Sequence, residues 1–197
     1  RGITNIDKRY FLNDKQIVWL IDRIEKRGHL LGIHPSYASY DNADLLKLEI
    51  DNITKSISSK VELSRQHYLR FEVPNTWRLL DEVGIKSDST LCYADMDGFR
   101  CGCCYEYSVF DVIERKHLKL KESPLIAMET TFFGYRENES YETVLKKLFY
   151  YMDVIFKYRG DFVFLIHNSS FYVYREIVDM YKLYDEVVKR LKRLMFE

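Results

Sequence analysis

The chain has 197 residues, 47% of them hydrophobic and 30% charged, which is enough to bury a core and too apolar for a disordered segment. Its 30 Lys and Arg balance 30 Asp and Glu, so the net charge of zero gives no global electrostatic case for nucleic acid or an acidic membrane surface. No apolar run approaches the roughly 18 residues of a transmembrane span, and the chain opens at Arg1 inside a polar segment, where processing or truncation would hide any targeting signal.

In chain order, NDKQIVWLIDRIEKRG predicts an amphipathic helix. Asn13 or Asp14 is its N-cap, Ile17, Leu20, Ile21 and Ile24 its apolar stripe, and Gly28 its stop. LLGIH follows as a short buried strand ending at His34 and closed by Pro35. After a polar loop, ADLLKLEIDNITKSIS predicts a second helix, and KVEL or SRQHYL supplies the next strand. PNTWRLLDEVG reads as a helix opened by Pro74 and ended by Gly84. STLCYA is strand-like, DMDGFRCGCC is a turn-rich loop, and SPLIAMETTF is another strand. A long helix capped by Ser140 and stopped by Gly160 leads to DFVFLIHN, the most apolar strand, which ends at His167. The last helix carries Ile177, Met180, Tyr184, Val187, Leu191 and Leu194 on one stripe. Strands alternating with helices predict an α/β fold with a largely parallel sheet, open or barrel-like, in a single domain over 1–197.

His29 and His34 are five residues apart, which on a regular strand places them on opposite faces, one inward and the other elsewhere. His29, at the helix exit, is expected to pack or cap locally, and His117 to be exposed. His34, His67 and His167 each fall at the end of a predicted strand, where the loops of α/β folds converge. Three imidazoles so placed point to a shared site, as metal ligands or as acid–base groups near neutral pH. The cysteines Cys92, Cys101, Cys103 and Cys104 are too crowded for a disulfide framework and favour a reducing, cytoplasmic compartment. A zinc reading of the cluster lacks a second cysteine pair.

The segments RGHLLGIHPSY, SRQHYLR, DGFRCG and FLIHN resemble, in that order, the signature segments of the polysaccharide deacetylases, the NodB-type domain of carbohydrate esterase family four and its divergent bacterial relatives in surface-polysaccharide synthesis. The resemblance implies a distorted (β/α) barrel, here without its N-terminal strand or strands. It implies an enzyme that uses a divalent metal, most simply zinc, to remove the N-acetyl group from an amino sugar of a surface polysaccharide, such as an O-antigen, or of its precursor. A catalytically degenerate relative that binds saccharide or protein is the alternative.

The family holds its metal with one aspartate and two histidines separated by three residues. His34 matches the first histidine, but Ala38 occupies the place of the second. In the family's Arg-x-Pro-Tyr segment, here Arg65, Gln66, His67 and Tyr68, a histidine replaces the proline. His67 is therefore expected to supply the lost ligand, with the ring nitrogens of His34 and His67 roughly 3–4 Å apart. By the same resemblance the backbone N–H of Tyr68 helps hold the oxyanion. His167, matching a late Leu-x-x-His segment with one residue fewer, is the general acid, and Glu129 holds it charged. Arg65 and Arg100 orient carboxylates or sugar hydroxyls. The family's opening Asp-Asp segment has no counterpart, so the missing carboxylate is expected upstream of Arg1, or the protein is not a working hydrolase. Asp95 and Asp97 form the nearest aspartate pair, but turn chemistry accounts for them.

Overall fold

The computed structural model describes Asp7, residues 11–136 and residues 139–196. They pack as two units, one drawn from residues 1–90 and 107–122, the other from 91–106 and 123–197.

The first unit opens with helix α1, Lys15–Lys26, which has Asp14 at its N-cap position. Its end is a Schellman turn. Gly28 takes φ 75 and its N–H reaches the Glu25 carbonyl at 2.9 Å, while the His29 N–H reaches that of Ile24 at 3.2 Å. Ile17, Ile21 and Ile24 are half-buried, but Leu20 is exposed, so the stripe is narrower than its spacing predicts. The LLGIH segment forms only a one-residue parallel bridge, Ile33 to Ser64. Because it is not a regular strand, the opposite-face argument fails, and His29 and His34 are both exposed. The segment lies tight on its neighbour, since a Cβ on Gly32 would meet the Leu63 carbonyl oxygen at 2.8 Å.

Helix α2, Ala43–Thr54, is capped by Asn42, whose side chain accepts from the Leu45 N–H at 3.0 Å, and it buries Leu45 and Leu46. Strand β1 is Leu63–Ser64, the last residue of the first predicted alternative and the first residue of the second. Helix α3, Asn75–Glu82, buries Thr76, Trp77 and Leu80, and the Trp77 indole donates to buried Glu122 at 2.9 Å. Strand β2 is Ser87–Asp88, which ends where the predicted STLCYA strand would begin. A hairpin the helix-and-strand reading passes over, β3 (Tyr107–Asp111) and β4 (Lys116–Glu122), alternates between buried and exposed residues. The four strands make one mixed sheet in the order β1–β2–β4–β3, with only β3 antiparallel.

In the second unit, strand β5 (Ala127–Met128) pairs in parallel with β6 (Phe164–Leu165). Of the predicted SPLIAMETTF strand only these two residues are extended, because the chain then turns into a π-helical segment, Thr131–Tyr135. Helix α4, Tyr141–Lys157, is capped by Ser140 and buries Val144, Leu148, Met152 and Ile155 on one stripe. The short α5, Ser170–Val173, and α6, Met180–Phe196, complete the unit. Helix α6 buries Met180, Leu183 and Val187, whereas Ile177 precedes it and Tyr184 is exposed. The core joins these residues to Phe132, Phe133 and, from α4, Val144, Leu148 and Met152. The architecture is α/β with a mixed sheet and flanking helices. Among the described residues neither sheet closes into a barrel, since one has four strands and the other two.

Candidate functional site

In the first unit, His34 and His67 come together with ring centroids 5.0 Å apart and planes at 57°. His34 leaves the Ile33 bridge, and His67 opens a 3₁₀ turn, His67–Leu69, just past β1. Parallel pairing puts both segments at the same end of the sheet. The His34 Nδ1 donates to the Arg65 carbonyl at 2.6 Å. The His67 Nδ1 lies 3.0 Å from Oδ1 of Asp7, which also accepts the Tyr37 N–H at 2.9 Å. An Nδ1 that donates to a carbonyl or carboxylate makes Nε2 the lone-pair nitrogen of a neutral imidazole, and partners of this kind orient histidines that ligate metals. Tetrahedral zinc with nitrogens at 2.0–2.1 Å would put two imidazole centroids about 5 Å apart. Among the described residues, no group of three or more His, Cys, Asp or Glu is arranged to hold a metal ion. The described residues therefore do not complete a metal centre.

Arg65 does not point as a free fork. Its Nε donates to the Ser89 carbonyl at 3.0 Å and to the Ser89 hydroxyl at 3.1 Å, tying the His34–His67 ledge to the segment after β2. Tyr68 is 63% exposed, and its ring lies 4.9 Å from that of His67 and 5.8 Å from that of Tyr37. Arg70 stacks on Tyr37 and Tyr40, with its guanidinium carbon 4.2 and 3.8 Å from their centroids. Sequence reasoning misses two carboxylates here. Asp7 is 60 residues from its histidine, beyond the reach of any local pattern. Asp88 is fully buried, accepts from the Ser64 hydroxyl and, at 2.9 Å, from the Thr90 N–H. Burial pushes its carboxyl above the usual range, against those hydrogen bonds and the charge of Arg65.

In the second unit, Glu129 and His167 meet because β5 and β6 pair in register just before them. The His167 Nδ1 lies 2.6 Å from Glu129 Oε1, and the His167 N–H donates to the same oxygen at 3.0 Å. The Ser170 and Thr130 hydroxyls add bonds to it at 2.6 and 3.1 Å. Glu129 is fully buried, and Oε2 has no hydrogen-bond partner among the described residues. Burial would raise its carboxyl, but His167 and Ser170 outweigh that and hold it below the usual range. Ser170, three residues after His167, is a member of this cluster that strand-end logic does not reach.

Arg100 donates to the Cys92 carbonyl at 2.6 Å and lies 5.8 Å from the Tyr93 ring, so it braces its own loop. Asp97 accepts from Arg136 and from the Tyr151 hydroxyl, each at 2.5 Å. Although burial opposes it, Tyr151, Lys147 and Arg136 hold its carboxyl low, which makes Asp97 an ion-pair anchor and a poor base. No disulfide joins any of the four cysteines. His117 is exposed against Phe110, at 5.0 Å between centroids.

No protein-family model and no curated protein sequence matches the chain. Among solved structures it is similar to the "Crystal structure of putative polysaccharide deacetylase from Mycobacterium smegmatis", with a TM-score of 0.65 and 15% identity. The match covers 91% of this chain and 62% of that one. At that identity the likeness shows the fold alone. Among the described residues no helix is long and apolar enough to cross a membrane.

Proposed function

We propose that this chain is a deacetylase-fold domain that binds an acetylated amino sugar at the surface around His34 and His67. The observation that carries this reading is the pair of imidazoles, each anchored through Nδ1, with the exposed Tyr68 ring beside them. Two oriented nitrogens offer fixed partners to amide N–H and hydroxyl groups, and an aromatic face suits the C–H side of a pyranose. The fold shared with a protein named as a polysaccharide deacetylase supports a saccharide as the ligand. Calorimetric titration of the chain with triacetylchitotriose tests it. Binding should weaken about tenfold or more in His67→Ala, the loss of roughly one good hydrogen bond to a partly buried group, and maltotriose, which has no acetamide, should bind less well. Equal affinity for both sugars, or an indifferent His67→Ala, would defeat the reading.

A second reading, hydrolysis of the acetamide, is favoured by the Glu129–His167 contact. Glu129, ionised and held by Ser170, fixes the His167 ring so that Nε2 delivers a proton to the departing amine while water takes up the acetyl group as acetate. The substrate class is an amino sugar of a bacterial surface polysaccharide or its precursor, handled in the cytoplasm. Under this reading, acetate release falls roughly 10²–10⁴-fold in His167→Ala. No release from the parent chain leaves the first reading.

A further inference from the structure

The turn that carries His67 is built at a conformational cost. Tyr68 has φ 59 and ψ 21, and Leu69 follows with φ 51, so two successive side-chain-bearing residues occupy the left-handed region that glycine favours. The 3₁₀ turn is closed by the Leu69 N–H to the Gln66 carbonyl at 3.1 Å and the Arg70 N–H to the His67 carbonyl at 3.2 Å. Gln66 is buried beneath it, its N–H bonded to Thr90 at 2.9 Å, so the surroundings hold the turn in place. The strained conformation turns the Tyr68 ring outward, 63% exposed, against His67 and edge-on to Tyr37. A glycine would form this turn without strain, and the buried core gains nothing from an exposed ring. Strain of this kind persists where the side chain it positions has work to do.

We propose that the Tyr68 ring is the stacking platform for the pyranose of an N-acetylated amino sugar held at the His34–His67 pair. The proposal rests on the saccharide reading above and deepens it by naming the residue that selects a ring-shaped ligand. The face of a pyranose that carries axial C–H groups lies on the negative face of the phenol ring, while its acetamide and hydroxyls reach the imidazole nitrogens alongside. The ring centroids of Tyr68 and His67 are 4.9 Å apart, a distance that one sugar residue spans.

Two variants of the full chain test this, with triacetylchitotriose as the probe in calorimetry and thermal melting as the second readout. Tyr68→Gly should melt a few degrees higher than the parent, because the left-handed strain is relieved, and should bind the probe at least tenfold more weakly. Tyr68→Phe keeps the ring and should bind within about twofold of the parent. A Tyr68→Gly chain with parent affinity overturns the proposal, as does one that melts lower than the parent, which would make the ring a structural element. If Tyr68→Gly loses the probe while His67→Ala binds normally, the platform stands and the imidazole reading fails. If His67→Ala loses the probe while Tyr68→Gly keeps it, the reverse holds. A parent chain that does not bind the probe overturns both.

Discussion

His34 and His67 are alike in type and in local sequence value to His29, yet the structure gives them a different chemistry. The His29 side chain is exposed and the residue's defined contact is a backbone N–H capping α1, whereas the other two rings are fixed by a carbonyl and a carboxylate. The same contrast separates the acids. Glu129 gathers four donors on one oxygen in a fully buried place, and Asp97 is neutralised by Arg136 and Lys147. Removing one donor from Glu129 should therefore be felt. Ser170→Ala is expected to destabilise the chain by about 1.5–3 kcal/mol, the range for a hydrogen bond to a charged group, measured by urea denaturation. A change below about 0.5 kcal/mol would mean that the remaining three donors suffice.

At the scale of elements, capping and turn residues decide where helices end, and α4 shows how sequence reading can misplace the reason. Its spacing predicts Gly160 as the stop. In the structure Arg159 takes the left-handed position, with φ 55, and the Gly160 N–H closes the turn on the Ile155 carbonyl at 2.9 Å. Gly160 is needed for a different reason, since a Cβ there would lie 2.3 Å from the Cys104 carbonyl oxygen and 2.5 Å from its sulfur. Two substitutions separate these roles. Arg159→Gly should stabilise the chain by up to about 1 kcal/mol by relieving the left-handed penalty. Gly160→Ala should cost about 1–3 kcal/mol through overpacking. Thermal melts of the pair check both signs, and a neutral Gly160→Ala would show that the cysteine loop yields freely. The cap of α2 is the simpler case: Asn42→Ala should cost about 1 kcal/mol, read in the same melts.

For the whole molecule, the ionisation pattern predicts an acid-sensitive fold. Glu129 and Asp97 are held below their ordinary values of 4.5 and 3.8, and Arg78 holds buried Asp111 well below the usual range. A carboxyl depressed by folding contributes stability that is present above its unfolded value and lost as pH falls through its folded value. The melting temperature should thus be flat near neutrality and drop as the pH falls below about 4.5, with Asp88, raised by burial, working in the opposite direction. Glu129→Gln should flatten that drop, and melts between pH 7 and pH 3 measure it. What the sequence by itself determined is what depends on neighbours along the chain: five helices, the Ser140 cap, the Gly28 and Gly84 turns, and histidines at the ends of extended segments. Strand limits were not determined that way, because a two-residue ladder such as β5–β6 exists only through its partner, and the β3–β4 hairpin shows its alternation only once one face is known to be covered. The site followed the same division. Histidine is a property of a position, but the 5.0 Å approach of two rings and the Asp7 and Arg65 contacts that orient them arise from pairing between segments 31 and 60 residues apart, which only the tertiary structure decides.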